Sequence, residues 1–288
     1  MQSADLASRI SVSVSLDEAS LQMVSKKLNL HYVEAHPPSN GFDAMNAKSM
    51  LDSYGITCMQ MHGPADTSSD IGNMDLDARM KAVEKHKKHL NYCQTLGVKY
   101  YVLHPGGIIY GKWDDQQKVP IFQFERRFVE KLIGLNVLSI KELAKEAQEL
   151  CVKIAVENSP LNDPTFLTIP DHLRLISNIG QDNVGVCVDV GHANVGKKFK
   201  PADVLRQFGS LVWALHLHDN NGGGDQHLPP GEGIIDWVDV VNALEEIKYL
   251  GSLNIEFIPS MSSKFAGKNY AESVKPGIAL LEKIISKI

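Results

Sequence analysis

Eight short, apolar, β-rich runs recur along this chain, and seven of them stop at a side chain able to ligate a metal ion. RISVSVS opens the series. HYVEAHP follows with Glu34 and His36, then ITCMQMHG with His62, YYVLHPGG with His104 and VKIAVENS with Glu157. VGVCVDVGH ends on Asp189 and His192, LVWALHLHD on His216 and His218, and SLNIEFIP on Glu256. Stretches with helical spacing separate the runs, and parallel strands need such crossovers to pair. The runs are continuous rather than alternating, as strands covered on both faces are. Eight units favour a closed (β/α)8 barrel over an open sheet, with polar residues gathered at the C-terminal mouth.

The helical stretches carry their own punctuation. SLDEASLQMVSKKLN has Asp17 as a cap, FDAMNAKSMLDSYG ends at Gly55, and LDARMKAVEKHKKHLNYCQTLG ends at Gly97. FERRFVEKLIGLNVLSIKELAKEAQEL is one long helix, whereas Pro170 in FLTIPDHLRLISNIG either breaks a helix or begins a second one. PADVLRQFG, DWVDVVNALEEIKYLG and AESVKPGIALLEKIISKI complete the set. The expected fold class is α/β, a (β/α)8 TIM barrel, with residues 1–288 as one domain.

Three strand-to-helix connections are long: PADTSSDIGNMD after His62, GGIIYGKWDDQQKVPIFQ after His104, and NNGGGDQHLPPGEGI after His218. Long loops in compact domains are usually functional or mobile. All three lie on the mouth side. The middle one holds Tyr110, Lys112 and Trp113, which suit a lid or specificity wall.

Composition narrows the class. The net charge is −5 with no basic tract, so the chain lacks the electrostatic footprint of a duplex-DNA binder. Cys58, Cys93, Cys151 and Cys187 lie far apart with no C-x-x-C, and they read as reduced thiols in a reducing compartment. The first residues lack a basic region followed by an apolar stretch, and no run approaches membrane-spanning length. A cytoplasmic location is the expectation.

Glu157, Asp189, His216 and Glu256 each close a different strand, so a barrel brings them around one point. Three carboxylates and an imidazole form a hard, oxygen-rich set suited to Mn²⁺, Mg²⁺, Co²⁺ or Zn²⁺. One such carboxylate alone could equally cap a helix. Four in step with the barrel period are hard to produce by chance. His62, His104, His192, Asp225 and His227 surround that set. Such imidazole-rich groups favour Zn²⁺ and could hold more than one ion, or they could be hydrogen-bonding partners of ligands and substrate. His216 and His218 face the same side, so only one of them need be a ligand. Glu34 and His36 read as polar residues of the mouth. His31, His86, His89 and His172 read as helix-surface or loop histidines, and Lys112, Lys197 and Lys198 as solvated lysines rather than phosphate anchors.

Taken together, H-G-P at His62, H-P-G-G at His104, V-E-N at Glu157, C-V-D-V-G-H at Asp189, H-L-H-D at His216, D-Q-H-L-P-P-G-E-G from Asp225 and I-E-F at Glu256 resemble the xylose-isomerase-like TIM-barrel superfamily. That group contains sugar isomerases, ketose 3-epimerases, inosose dehydratases and endonuclease IV-type nucleases. The resemblance covers nearly the whole chain. It implies a divalent cation on Glu157, Asp189, His216 and Glu256, with His216 preferred over His218 because an acid, Asp219, follows in the family's pattern. It implies Glu157 and Glu256 as the proton-transferring acid and base, His192 as a catalytic partner, and His62, His104, His218, Trp113 and Glu34 as substrate-binding residues. The expected partner is a small sugar or sugar phosphate, and barrels of this type often pair as homo-oligomers.

The nuclease branch adds His62, His104, His192, Asp225 and His227 as ligands to three zinc ions, and all five residue types stand here. Against that branch, N-S-P-L-N-D follows Glu157 where the nucleases have N-T-A-G, V-G-H follows Asp189 where they have T-C-H, and the overall charge is acidic.

Overall fold

The computed structural model describes residues 6–38, 41–106, 129–160 and 168–288 in full, and residues 113–114, 119–120 and 126–128 by their backbone alone. Tyr110, Lys112 and the side chain of Trp113 therefore lie outside the described residues.

Eight parallel strands form one sheet: β1 (Ile10–Val14), β2 (Tyr32–Ala35), β3 (Thr57–His62), β4 (Tyr100–Leu103), β5 (Lys153–Glu157), β6 (Val184–Asp189), β7 (Val212–His216) and β8 (Leu253–Ile255). Their order is β8-β1-β2-β3-β4-β5-β6-β7, so every neighbour in sequence is a neighbour in space. The two ends of that order meet at the parallel bridge between Leu217 and Ile255. There Leu217 N donates to Asn254 O at 2.7 Å and Glu256 N to Leu217 O at 3.1 Å. The sheet is thus a nearly closed barrel.

Helices cover its outside: α1 (Glu18–Gln22), which runs into a π-helical turn at Met23–Leu28, α2 (Ala44–Tyr54), α3 (Leu76–Leu96), α4 (Arg126–Glu149), α5 (Ile169–Ile179), α6 (Val190–Asn194), α7 (Pro201–Phe208), α8 (Trp237–Glu246) and α9 (Tyr270–Ile285). Their starts follow from side-chain caps. Asp17 accepts from Ser20 N at 2.9 Å, Asp43 from Asn46 N at 3.0 Å and Asp75 from Ala78 N at 2.8 Å. Thr168 caps α5, and Pro170 sits in its first turn, where a missing N–H costs nothing; it begins this helix rather than breaking one. Gly97 ends α3 at φ 72°, a left-handed conformation that only glycine adopts without strain. Among the described residues no helix is long and apolar enough to cross a membrane.

Alternation along the strands divides the core in two. One parity packs under the helices in a large apolar cluster that includes Tyr101, Leu103, Ile154, Val156, Val186 and Val188. The other parity faces the barrel axis. On one side of that interior Val102, Ala155, Cys187 and Ala214 form a small apolar cluster. On the other side Ser11, Ser13, Glu34, Gln60 and Asn254 form a hydrogen-bonded polar set. The same inward parity, continued to the strand ends, delivers His62, Glu157, Asp189 and His216 to the mouth.

Candidate metal centre

His216 Nδ1 is the convergence point. It lies 3.2 Å from Glu157 Oε1, 3.5 Å from Glu256 Oε2 and 3.8 Å from Asp189 Oδ2. Four donors held about 2.1 Å from one ion in a tetrahedron stand about 3.4 Å apart, so this spacing suits a shared cation. Asp189 and His216 are paired in register on β6 and β7, while Glu157 ends β5 and Glu256 follows β8 directly. Asp189 and His216 are completely buried and Glu157 is nearly so. Three carboxylates this close in a dry site need positive charge between them. His216 Nδ1 and Glu157 Oε2 also find no hydrogen-bond partner despite full burial. Buried polar atoms are seldom left unpaired, and a divalent cation at the centre would satisfy His216 Nδ1.

Two histidine groups flank this centre, each joined to it by a carboxylate. His62, His104 and Glu157 place one ligand atom each within 4.8 Å of the others. Glu157 Oε2 lies 3.6 Å from His62 Nε2 and 3.3 Å from His104 Nε2, while its other oxygen serves the central group. On the opposite side His192, His218, Asp225 and His227 form a second group. Asp225 Oδ2 is 3.2 Å from His192 Nε2 and 3.1 Å from His227 Nε2. Asp189 links it to the centre, because His218 Nε2 contacts both Asp189 oxygens at 2.9 and 3.1 Å. Asp225 Oδ1 and His218 Nδ1 are further buried atoms without a hydrogen-bond partner. The nine residues singled out as ligands from the sequence are therefore brought together, and His218 joins them.

Charges in this cluster oppose the effect of burial. Burial pushes the Glu157 carboxyl up, but His104, His216 and His62 outweigh it and hold the group well below the usual range. Asp225 is likewise held low against burial by its hydrogen bonds with His192 and His227. Burial alone would depress His227, yet Asp225 and Glu256 raise it to about 9. His104 differs: burial prevails and brings it down to about 4. His62, His192 and His216 are likewise raised against burial by the carboxylates around them.

Several residues stand where the sequence did not lead us to expect them. Glu34 and His218, read as substrate-binding, are completely buried: Glu34 is held by His216, Gln60, Ser13, Asn254 and His36, and His218 Nε2 by Asp189. His86, His89 and His172, read as surface or loop residues, are buried in the helix layer; His86 Nε2 donates to Ser69 O at 3.0 Å and its Nδ1 accepts from Tyr101 Oη at 2.7 Å. Lys197 and Lys198 are exposed. Two other residues shape the site in ways the sequence did not indicate. Asn158 clasps Asp189, accepting from its N at 2.9 Å and donating to its O at 3.1 Å, and its own carbonyl accepts from His192 Nδ1 at 2.8 Å. Asp219 ties down the loop carrying Asp225 and His227 by accepting from Gly231 N, Ile235 N and Trp237 Nε1. His227 itself holds φ 42°, a left-handed conformation that costs of order 1–3 kcal/mol and persists where surrounding contacts impose it.

Above the cluster lies an open cleft of about 590 Å³, whose walls include His36, His62, His104, Glu157, Asp225 and Glu256. No Lys or Arg stands among the described residues lining it.

A family model described as a xylose isomerase-like TIM barrel matches residues 24–284. Among curated proteins, the chain is 29% identical to MJ1311 of Methanocaldococcus jannaschii over 242 residues, 82% of this chain and 77% of that protein. It is 29% identical to the D-psicose 3-epimerase of Enterocloster bolteae over 121 residues, 42% of this chain and 38% of that enzyme. Among solved structures it resembles a D-tagatose 3-epimerase-like protein (TM-score 0.76, 24% identity, 96% of this chain and 97% of that one). It also resembles the IOLI protein with a bound zinc atom (TM-score 0.72, 18% identity, 97% and 98%). At those identities the two structures speak for the fold.

Proposed function

The chain belongs to the xylose isomerase-like TIM-barrel family, and from that membership and the site we propose a metal-dependent sugar isomerase or epimerase. One observation carries the reading. Glu157 and Glu256 each turn one oxygen toward His216 Nδ1 and hold the other away from that point, Glu157 Oε2 beside His62 and His104 and Glu256 Oε1 beside His36. A carboxylate that binds with one oxygen keeps the other for proton transfer. Two such carboxylates, one ending β5 and the other following β8, would flank a sugar carbon bound between them, one removing a proton and the other returning it. A divalent cation, Mn²⁺, Mg²⁺, Co²⁺ or Zn²⁺, held by Glu157, Asp189, His216 and Glu256, would act as a Lewis acid on adjacent carbonyl and hydroxyl oxygens and acidify the neighbouring carbon.

In this reading Glu157 removes a carbon-bound proton, and Glu256 delivers one. His192, its Nδ1 fixed by Asn158 O, steadies a substrate oxygen as charge develops there. His62 and His104 on the cleft wall orient hydroxyl groups. The absence of Lys and Arg from the described lining suits an uncharged sugar better than a sugar phosphate. A small ketose or polyol ketone is the substrate class. The test is solvent exchange: protein loaded with Mn²⁺ is incubated with a broad panel of ketoses in D₂O and followed by proton NMR. Deuterium at a single carbon beside the carbonyl is expected; none across the panel would overturn the proposal.

A second reading rests on the two flanking histidine groups. Three donor groups joined through Glu157 and Asp189 also suit a multinuclear zinc phosphodiesterase, in which several cations share attacking and leaving oxygens. Metal content separates the two. Protein purified without chelator is expected to hold one exchangeable divalent cation if it is the isomerase, and three zinc ions together with phosphodiester cleavage if it is the hydrolase.

A further inference from the structure

We propose that Glu34 is a positioning residue: it fixes which nitrogen of His216 faces Glu157, Asp189 and Glu256, and thereby presets the cation site. The inference rests on His216 being a metal ligand and holds for either reaction. Glu34 is completely buried. Its Oε1 accepts from His216 Nε2 at 2.9 Å and from Gln60 Nε2 at 3.1 Å. Its Oε2 accepts from Ser13 Oγ at 2.7 Å, from Asn254 Nδ2 at 2.7 Å and from His36 Nε2 at 3.3 Å.

The Gln60 amide in this network cannot be turned over. Gln60 Oε1 accepts from Ser252 Oγ at 3.1 Å while its nitrogen also donates to Leu215 O at 3.2 Å. Asn254 Oδ1 accepts from Ser11 Oγ at 3.1 Å. The Gln60 NH₂ must therefore point at Glu34, and the Asn254 NH₂ does so as well. A carboxylate surrounded by donors has no proton to give, so the proton in the contact with His216 belongs to Nε2. A neutral imidazole protonated at Nε2 carries its lone pair on Nδ1, and Nδ1 is the atom turned toward the three carboxylates. The opposite tautomer would aim an N–H at the cation. Partners of this kind, one bond removed from the ion, typically contribute 10- to 100-fold to metal affinity.

The test uses chelator-treated full-length protein. Mn²⁺ is titrated into wild type, Glu34→Gln and His216→Gln, and free Mn²⁺ is read by electron paramagnetic resonance. His216→Gln is expected to abolish the tight step, and Glu34→Gln to weaken it about 10- to 100-fold. Wild-type binding by His216→Gln would overturn the ligand reading on which the inference rests. Loss in His216→Gln with affinity kept within twofold in Glu34→Gln would overturn the positioning role alone. Because Glu34→Gln can fail to fold, the wild type supplies an independent readout. In protein labelled with ¹⁵N-histidine and loaded with Zn²⁺, the resonance missing from His216→Gln should show a protonated Nε2 and a metal-bound Nδ1. A metal-bound Nε2 would refute the proposal.

Discussion

His218 is wedged between Asp189, whose carboxylate it contacts at 2.9 Å, and Gly191. A Cβ on Gly191 would stand 1.9 Å from His218 Cε1, far inside van der Waals contact. Gly191→Ala must therefore push the imidazole off Asp189 or distort α6. A loss of about 1–3 kcal/mol in denaturant unfolding is expected from such overpacking. Gly134→Ala is the control: it lies in α4 with nothing within 4 Å of the added carbon, and it should be neutral or stabilising by up to about 1 kcal/mol. Equal effects of the two substitutions would contradict the packing argument.

Glu157→Gln and Glu256→Gln remove the proposed base and acid while keeping their size. Each should slow solvent deuterium exchange on a responsive sugar by about 10²- to 10⁴-fold, with the circular dichroism of the folded protein unchanged. Exchange at the wild-type rate in both variants would show that the proton passes elsewhere.

Asp219 accepts from Gly231 N at 3.0 Å, Ile235 N at 3.2 Å and Trp237 Nε1 at 2.9 Å. Asn in its place would turn an NH₂ toward these donors. Since a hydrogen bond to a charged group contributes about 1.5–3 kcal/mol, Asp219→Asn should lose at least one such increment. The loop of residues 220–234 should also be cleaved faster by a nonspecific protease. Unchanged stability and proteolysis would mean that the loop is held by other contacts.

The barrel and its ring of acids and imidazoles were legible in the chain because strand parity is a local property. A polar residue at the end of a buried strand must face either the helices or the axis, and the axis leads to the mouth. Depth was not legible. Glu34 and His36 stand two residues apart on the same parity, yet one is completely buried and the other partly exposed, because only Glu34 meets donors from Gln60, Asn254 and Ser13. His86, His89 and His172 misled for a related reason. Imidazole is apolar enough to pack under a helix, with both nitrogens paired in His86 but neither in His89, and helical spacing alone does not say which side of α3 meets the sheet. Helix α6 was missed because five residues are too few for periodicity to register; a cap at Asp189, which accepts from His192 N at 2.6 Å, is what forms it.

Those buried histidines also predict a pH dependence of stability. Burial pushes His86 down to about 3 and His172 down to about 4. An unfolded histidine takes up its proton near pH 6.5, so below that pH the unfolded state binds protons that the native state refuses. Their contribution is complete above about pH 6.5 and is lost as pH falls toward 4 and 3. At pH 5 the loss is about 2 kcal/mol for each. Unfolding of chelator-treated His86→Gln between pH 7 and pH 5 should show a correspondingly flatter decline than wild type. Parallel curves would place the acid sensitivity in other groups.

The central claim is that Glu157, Asp189, His216 and Glu256 share one cation. Anomalous diffraction from crystals grown with Mn²⁺ or Zn²⁺, collected on both sides of the metal absorption edge, tests it directly. The account predicts a peak about 2.0–2.3 Å from one oxygen of each carboxylate and from His216 Nδ1. A fully loaded crystal with no peak at that position, or with a metal bound while His216 Nδ1 points away, would contradict it.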